Sequence, residues 1–379
     1  MYKDANFSYY IQAQNVFLYI FQLMDIQPSP TLISSSLIDW YEQNKRALPW
    51  RNITDPYKIW ISEIILQQTR VNQGLGYYLR FIERFQTVKN LALADEDEVL
   101  KYWQGLGYYS RARNLHKAAK QITTLHAGIF PNKHLEIIKL AGIGDYTAAA
   151  ICSFAYNDHF AVVDGNVYRV LSRIFGIETP IDSTAGKKEF AQLAQNILST
   201  EKPGIHNQAI MEFGALQCTH TSPNCPNCPL NNQCKAFELD IISIIPVKNK
   251  KTKVTNRFFN YLFIELNGST FLQKRTAKDV WQNLYEFPLI ETNALLDSSE
   301  LIENEIFKQL TTGISEVQVQ KISNPMKHIL SHRVIYALFF TIKISNINEA
   351  LNTTTKTAIN QIDRFAVSRL MELFLEKLN

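Results

Sequence analysis

A chain of 379 residues is long enough for two or three domains, each with its own core. Its composition, 46% hydrophobic and 20% charged, excludes wholesale disorder. The 39 Lys and Arg against 35 Asp and Glu leave a formal charge of +4, which excludes a global cationic field and confines any nucleic-acid surface to a local patch.

Residues 1–30 are aromatic-rich, and their apolar run Val16–Phe21 falls short of the roughly 20 apolar residues a membrane span needs. Asp4 offsets Lys3 and no small-residue cleavage site follows, so a secretory signal is not expected. The stretch reads as an extension of unassigned role, either poorly ordered or lying upstream of a working start at Met24.

Ser34-Ser35-Ser36 is expected to cap a helix through Leu37, Trp40 and Tyr41. Arg46 to Arg51 forms a turn with two arginines and the Trp50 indole. Asp55-Pro56 then opens a helix expected to run from Tyr57 to Arg70, since a capping carboxylate is followed by the proline that the first helical position tolerates. Apolar residues at 59, 60, 61, 64, 65 and 66 cover most of that helix, so it should be largely buried. Glu63 lies among them, where desolvation would raise its pKa and make it a proton donor; the alternative is a surface glutamate on a polar stripe with Ser62 and Lys58. In Tyr102–Arg113, two close glycines, Tyr108-Tyr109 and two arginines form a turn fit to stack on bases and meet phosphates, with one tyrosine expected in the core.

Leu140–Ile151 places Gly142 and Gly144 between helical patterns, where a backbone without Cβ atoms lets a ligand approach and the next helix start suits a phosphate. Asp145 stands where a neutral or basic residue would be more usual, although it can cap the helix. Cys152 reads as a small buried hydrophobe. Roughly twenty residues on, Asp164-Gly165-Asn166 supplies a carboxylate before another helix; Asn166 either caps that helix or bonds Asp164 and holds it ionised. Gln208, in Asn207-Gln208-Ala209, reads by itself as a hydrogen-bonded core amide.

Of five cysteines, Cys218, Cys225, Cys228 and Cys234 crowd into seventeen residues, which fits one metal centre in a reducing compartment rather than a disulfide framework; the spacing alone leaves zinc and iron-sulfur open. Lys248, Lys250, Lys251 and Lys253 mark a linker. From Arg257 the periodicity becomes that of strands. A hairpin turns at Asn267-Gly268, a helix is expected near 300–310, strands near Val317 and Val334, and a last helix from Val367.

Leu140–Ile151 followed by Asp164 resembles the helix-hairpin-helix and catalytic-aspartate signature of DNA base-excision glycosylases, and from about Leu32 to the C-terminus the chain is similar to adenine DNA glycosylases of the MutY type. The resemblance implies a multidomain protein: an all-α catalytic domain over 31–237 with the hairpin near 134–155 and a 4Fe-4S loop at 218–234, a linker over 238–256, and an α+β Nudix-like domain over 257–379 that reads 8-oxoguanine. It implies a monofunctional enzyme releasing adenine mispaired with 8-oxoguanine or guanine in double-stranded DNA, working as a cytoplasmic bacterial monomer at the nucleoid and not at a membrane.

By the same resemblance the catalytic residues are Glu63, Asp164, Tyr146 and Asn166, with Arg46, Trp50 and Gln208 lining the adenine pocket. Gln67, Gln68, Thr69, Arg70, Tyr108, Gly142 and Gly144 would contact DNA, and Leu330, Ser331 and His332 would sense 8-oxoguanine, Leu330 departing from the usual aromatic. The four cysteines would hold one 4Fe-4S cluster that braces a DNA-contacting loop. The acidic, arginine-containing helix of Nudix hydrolases is missing around Glu300, Glu303 and Glu305, so the last domain reads as a reader and not a pyrophosphatase. Two other readings remain: a bifunctional lyase on oxidised pyrimidines, disfavoured because Tyr146 stands where the imine-forming lysine would be, and a non-catalytic DNA-binding iron-sulfur protein.

Overall fold

The computed structural model describes residues 29–249 and 254–378. The extension up to Pro28 and the linker lysines Lys250, Lys251 and Lys253 lie outside the described residues. The described residues divide into two compact units whose segments alternate along the sequence, 29–59 with 132–138 and 143–249, and 60–131 with 139–142 and 254–378.

The first unit is helical, with helices Pro30–Asn44, His134–Ile137, Asp145–Tyr156, Gly165–Phe175, Thr184–Ile197, Pro203–Leu216 and Lys235–Glu238. Its core joins Ile33, Leu37 and Tyr41 to Val167, Val170, Leu171, Phe190, Ile210 and Phe213, so the first helix is held by its apolar side. That helix starts before the three serines expected to cap it. Pro30 occupies the first turn and Ser29 the cap position, because proline presets the helical φ and needs no N–H partner. Ser34 therefore lies inside the helix, its Oγ 2.8 Å from Nδ1 of the buried His206. Burial pushes the His206 imidazole down to about 4, so it stays neutral.

Helix Pro56–Leu66 begins as expected, with Asp55 Oδ1 accepting from Tyr57 N at 3.0 Å and Lys58 N at 3.4 Å. It stops at Leu66, four residues short of the expected end. Gln68 adopts a left-handed φ of 56°, and Arg70 becomes the cap residue of the next helix, Val71–Arg84. In the second unit that helix packs with Val88–Leu93, Glu96–Trp103 and Ser110–Leu125 around Phe81, Phe85 and Trp103.

The rest of the second unit is built on one mixed sheet. Strands β1 (Thr255–Leu266) and β2 (Ser269–Lys274) form the hairpin expected at Asn267-Gly268. β3 (Tyr285–Glu286) extends β2, and β4 (Leu289–Thr292) pairs with β1. β5 (Val317–Ile322) and β6 (Met326–Ile329) each pair antiparallel with β7 (Arg333–Ile344), and β8 (Thr355–Ala358) pairs with β2. β1 and β7 run parallel from Thr255 opposite Arg333 to Glu265 opposite Lys343, a pairing of strands far apart in sequence.

The single helix expected near 300–310 is two, Ser298–Glu303 and Glu305–Thr311, because Asn304 ends one and caps the other. The glutamates there serve the fold: Glu300 completes a capping box with Asp297, while Glu303 and Glu305 pair with Lys308. The last helix, Arg369–Leu375, is capped by Ser368. Among the described residues, no helix is long and apolar enough to cross a membrane.

Replacing Asp55 by Ala removes a side-chain cap at a helix start and should cost about 1 kcal/mol of stability. Calorimetry of the D55A protein checks this, and an unchanged melting temperature would contradict it.

Candidate functional site

In the first unit, Asp164 is itself the cap of helix Gly165–Phe175. Its Oδ1 accepts from Asn166 N at 2.9 Å and Val167 N at 2.8 Å, and its Oδ2 from Asn166 Nδ2 at 2.9 Å. Asn166 thus lies within the helix and holds the carboxylate rather than capping. Burial raises the Asp164 pKa above the usual carboxylate range, with the three donors and Arg169 opposing it; the expectation that Asn166 simply keeps the acid ionised gives way to that balance. Arg169 bonds Asn166 Oδ1 at 2.8 Å, Gly214 O at 2.5 Å and Cys218 O at 2.8 Å, so the orientation of the Asp164 carboxylate is braced as far as the cysteine loop.

Arg46 and Gln208 belong to a second network of the same unit. Arg46 forks onto Glu212, Nε to Oε1 at 2.8 Å and Nη2 to Oε2 at 2.7 Å, while Arg51 Nη2 adds a bond at 2.9 Å. Arg51 Nη1 also donates to Tyr41 Oη at 2.5 Å, and Tyr41 Oη donates to Gln208 Oε1 at 2.7 Å. A guanidinium can only donate, so the phenol must pass its own proton on to the Gln208 oxygen, and the Gln208 amide keeps its N–H donors for another acceptor. Trp50 is 8% exposed. Glu212, at 1% exposure the anion that anchors this network, escaped the sequence reading; its signal was the four-residue step from Gln208 along helix Pro203–Leu216.

At the hairpin, Gly142 has φ +75°, and a Cβ there would sit 2.6 Å from the Asn114 Cβ, so this position demands glycine. Gly144 is different: its backbone is extended, a Cβ would meet nothing within 4 Å, and it is the cap residue of helix Asp145–Tyr156. Asp145 is therefore the first helical residue and not the cap. The Tyr146 hydroxyl lies 3.9 Å from Met211 Sδ, and the residue packs against the cluster of Ala149, Ala150 and Val162. Cys152 is fully buried, which pushes its thiol up to about 11 and leaves it inert.

Cys218, Cys225, Cys228 and Cys234 line one cavity with Pro223, Phe237 and Ile242. Among the described residues, no three His, Cys, Asp or Glu side chains close around a single-ion site. Burial raises the thiols of Cys225, Cys228 and Cys234. The buried Arg173 supplies positive charge, with Nη1 3.5 Å from Cys218 Sγ and 2.7 Å from Thr219 O. Four thiols facing one apolar-walled space beside a guanidinium suit an anionic metal-sulfur group.

In the second unit, Glu63 is 8% exposed and Ser62 2%, so the polar-stripe alternative fails: the helix is buried all round at this level. Gln67, Gln68 and Thr69 form the turn that follows, with Gln68 and Arg70 exposed. Arg111 holds that turn, donating to Ile64 O at 2.7 Å, Ile65 O at 3.0 Å and Gln67 O at 2.7 Å, a cation on the carbonyl end of a helix. Arg113 donates to Gln282 O at 2.8 Å. Both of these arginines, expected to meet phosphates, donate to backbone carbonyls in the structure.

Of the tyrosine pair, Tyr109 is the core residue at 5% exposure, and Tyr108 is 46% exposed with φ +47°. The Tyr108 hydroxyl hydrogen-bonds Ser331 Oγ. Ser331 and His332 are exposed at the tip between β6 and β7, while Leu330 is half-buried; Leu330 N bonds Arg333 O at 2.8 Å across the turn.

Comparison with known proteins follows the two halves of the sequence. Residues 61–197 match the HhH-GPD superfamily of base excision DNA repair proteins, and residues 260–377 match the NUDIX domain. An adenine DNA glycosylase of Buchnera aphidicola subsp. Baizongia pistaciae is 36% identical over 303 residues, covering 79% of this chain and 83% of that protein. The Homo sapiens adenine DNA glycosylase is 40% identical over 215 residues, covering 54% of this chain but 39% of the human one. Among solved structures, a thermostable thymine-DNA glycosylase superposes with a TM-score of 0.52 at 27% identity, over 55% of this chain and 97% of that one.

Glu212 makes the acid limb of stability predictable. Burial raises its pKa, but the bonds from Arg46 and the charge of Arg51 outweigh that and hold it below its usual value. Its contribution is therefore present above the unfolded carboxylate value of about 4.3 and is lost as pH falls through the lower folded value. Glu212→Gln, which strands two guanidiniums, should cost about 3 kcal/mol at pH 7. Calorimetry at pH 7 and in the acid range should find the gap between wild type and E212Q narrowing as the pH falls; a constant gap would refute the assignment.

Proposed function

Because the chain belongs to the adenine DNA glycosylase family of base-excision repair enzymes, we propose that it hydrolyses the N-glycosidic bond of adenine paired with 8-oxoguanine or guanine in duplex DNA, without cutting the strand. The observation that carries the reading is the grip on Asp164: a carboxylate fixed by two backbone N–H groups and the Asn166 amide is prepared for a positive charge that exists only during the reaction.

The target adenine must leave the stack before any acid reaches it, at a cost of a few kcal/mol that is smallest for a mispair. Glu63, sequestered in its helix, donates a proton to the purine ring. The C1′–N9 bond then breaks, and its electron pair leaves with the protonated base. Asp164 stabilises the oxocarbenium-like sugar, or bonds it transiently, until water adds its oxygen to C1′ and gives up a proton. The N–H end of the Gln208 amide, freed by the Tyr41 relay, suits the acceptor edge of the extruded purine. Tyr146 cannot form an imine with the sugar, which supports a monofunctional reaction.

Cys218, Cys225, Cys228 and Cys234 are the residues to hold one 4Fe-4S cluster. Bound there it would supply a rigid cross-link, since glycosidic hydrolysis moves no electrons between metal centres. The hydrogen bond between Tyr108 and Ser331 supports the reading of these two residues, with His332, as the group that meets the base opposite the adenine. Gln67, Gln68, Thr69 and Arg70, with the open space at Gly144, would face the DNA.

The test incubates the protein with duplexes bearing one adenine opposite 8-oxoguanine, guanine or thymine. Adenine release should be fastest opposite 8-oxoguanine, strand breaks should appear only after alkali, and borohydride should trap no protein-DNA adduct. Glu63→Gln should slow release roughly 10²- to 10⁴-fold while duplex binding persists. A trapped adduct, or an E63Q protein as fast as wild type, would overturn the proposal.

A further inference from the structure

Three arginines of the second unit converge on one carboxylate beside the turn that bears Ser331. Asp279 Oδ1 accepts from Arg257 Nη1 at 2.9 Å and from Arg333 Nη1 at 2.7 Å, and Oδ2 accepts from Arg275 Nη2 at 3.0 Å. Arg257 also grips Glu291 through two bonds of 2.6 Å, and Arg275 grips Glu286 through two of 2.7 Å. The charges balance, three guanidiniums against three carboxylates, and Asp279 is the member common to all three arginines. Burial pushes its carboxyl up, but the Val280 N–H, Arg257 and Arg333 hold it at about 2, so it remains ionised throughout the physiological range.

The loop that carries Asp279 is held in a conformation its residues do not favour. Trp281 and Asn283 both have left-handed φ, +60° and +66°, which persists where the surroundings over-determine it. Those surroundings are the two elements that carry the opposite-base residues. On one side Arg113, five residues from Tyr108, donates to Gln282 O at 2.8 Å, and Asn283 Nδ2 donates to Glu96 Oε1 at 2.5 Å. On the other, Trp281 packs on His328 with ring centroids 5.7 Å apart, and Asp279 clamps Arg333, the residue that closes the Leu330–His332 turn. The 276–283 loop is therefore a clasp, and its charged hinge is Asp279.

We propose that Asp279 is a specificity-determining positioning residue: by clamping Arg333 it sets the Leu330–His332 turn against Tyr108, and discrimination between 8-oxoguanine and guanine opposite the target adenine depends on it. This rests on the reading above of Ser331 and His332. The same clamp withholds the Arg333 guanidinium from DNA phosphates, so its loss releases a sequence-independent cation while loosening the reader.

The experiment measures single-turnover adenine release opposite 8-oxoguanine and opposite guanine, with binding to an undamaged duplex at several salt concentrations, for wild type, Asp279→Asn, Arg333→Met and the double variant. The ratio of the two rates should fall about tenfold in each single variant and no further in the double one, since the proposed effect runs through the Asp279–Arg333 bond that both variants break. Only D279N should bind undamaged duplex more tightly and with a steeper salt dependence, because R333M removes the released cation. Should D279N fail to fold, R333M still decides, since the Arg333 side chain is 41% exposed and its loss leaves Arg257 and Arg275 on Asp279. Folded R333M or D279N proteins that keep the wild-type ratio would overturn the inference. A wild-type protein with no preference for 8-oxoguanine would instead sink the reading of the turn, and this inference with it.

Discussion

A carboxylate taken out of water has to be satisfied by the groups around it, and the helix start at Asp164 does this with backbone. The Asn166 and Val167 N–H groups would be orphaned at any helix beginning; here they define the position of one oxygen, and the Asn166 amide defines the other. Because Arg169 ties Asn166 to Gly214 O and Cys218 O, the geometry of one acid is set by helix Gly165–Phe175, helix Pro203–Leu216 and the cysteine loop together. A carboxylate held this way has little freedom to reorganise, since backbone dipoles cannot swing aside as a lone side chain can.

The same economy governs the arginines. Arg46 and Arg51 anchor on Glu212, Arg111 and Arg113 on carbonyls, Arg169 and Arg173 around the cysteine loop, and Arg257, Arg275 and Arg333 on Asp279. Guanidinium suits this work because its charge survives burial and its planar fork of donors can serve several acceptors at once. A formal charge of +4 thus overstates the freedom of the cations: many of the arginines are internal braces. The price is that each brace is a point of failure, since an acid such as Glu212 or Asp279 holds two or three cations in place.

Much of the local structure was legible from local chemistry. The Asp55-Pro56 start, the buried face around Glu63, the left-handed Gly142, the cap region at Asp164, the crowded cysteines and the Asn267-Gly268 hairpin all follow from preferences that act within a few residues. The errors were of two kinds. Boundaries slipped where two local signals competed, as when Pro30 began a helix before Ser34, Gln68 ended one before Arg70, and Asn304 split another. Partners were not legible where the acceptor is distant in sequence: nothing near Arg113 in the chain announces Gln282 O.

What the amino-acid sequence determined unaided was which residue types stand at the turns, caps and buried faces, and hence the kind of chemistry the chain can support. What only the tertiary structure decided was which of those residues are committed elsewhere. It paired β1 with β7 in parallel, set Glu212 beneath Arg46 and Arg51, turned Arg111 onto the helix carbonyls and joined Tyr108 to Ser331. The reason is physical: caps and turns are settled by neighbours a few bonds away, whereas a salt bridge or strand pairing needs two segments whose meeting is governed by burial of the whole core.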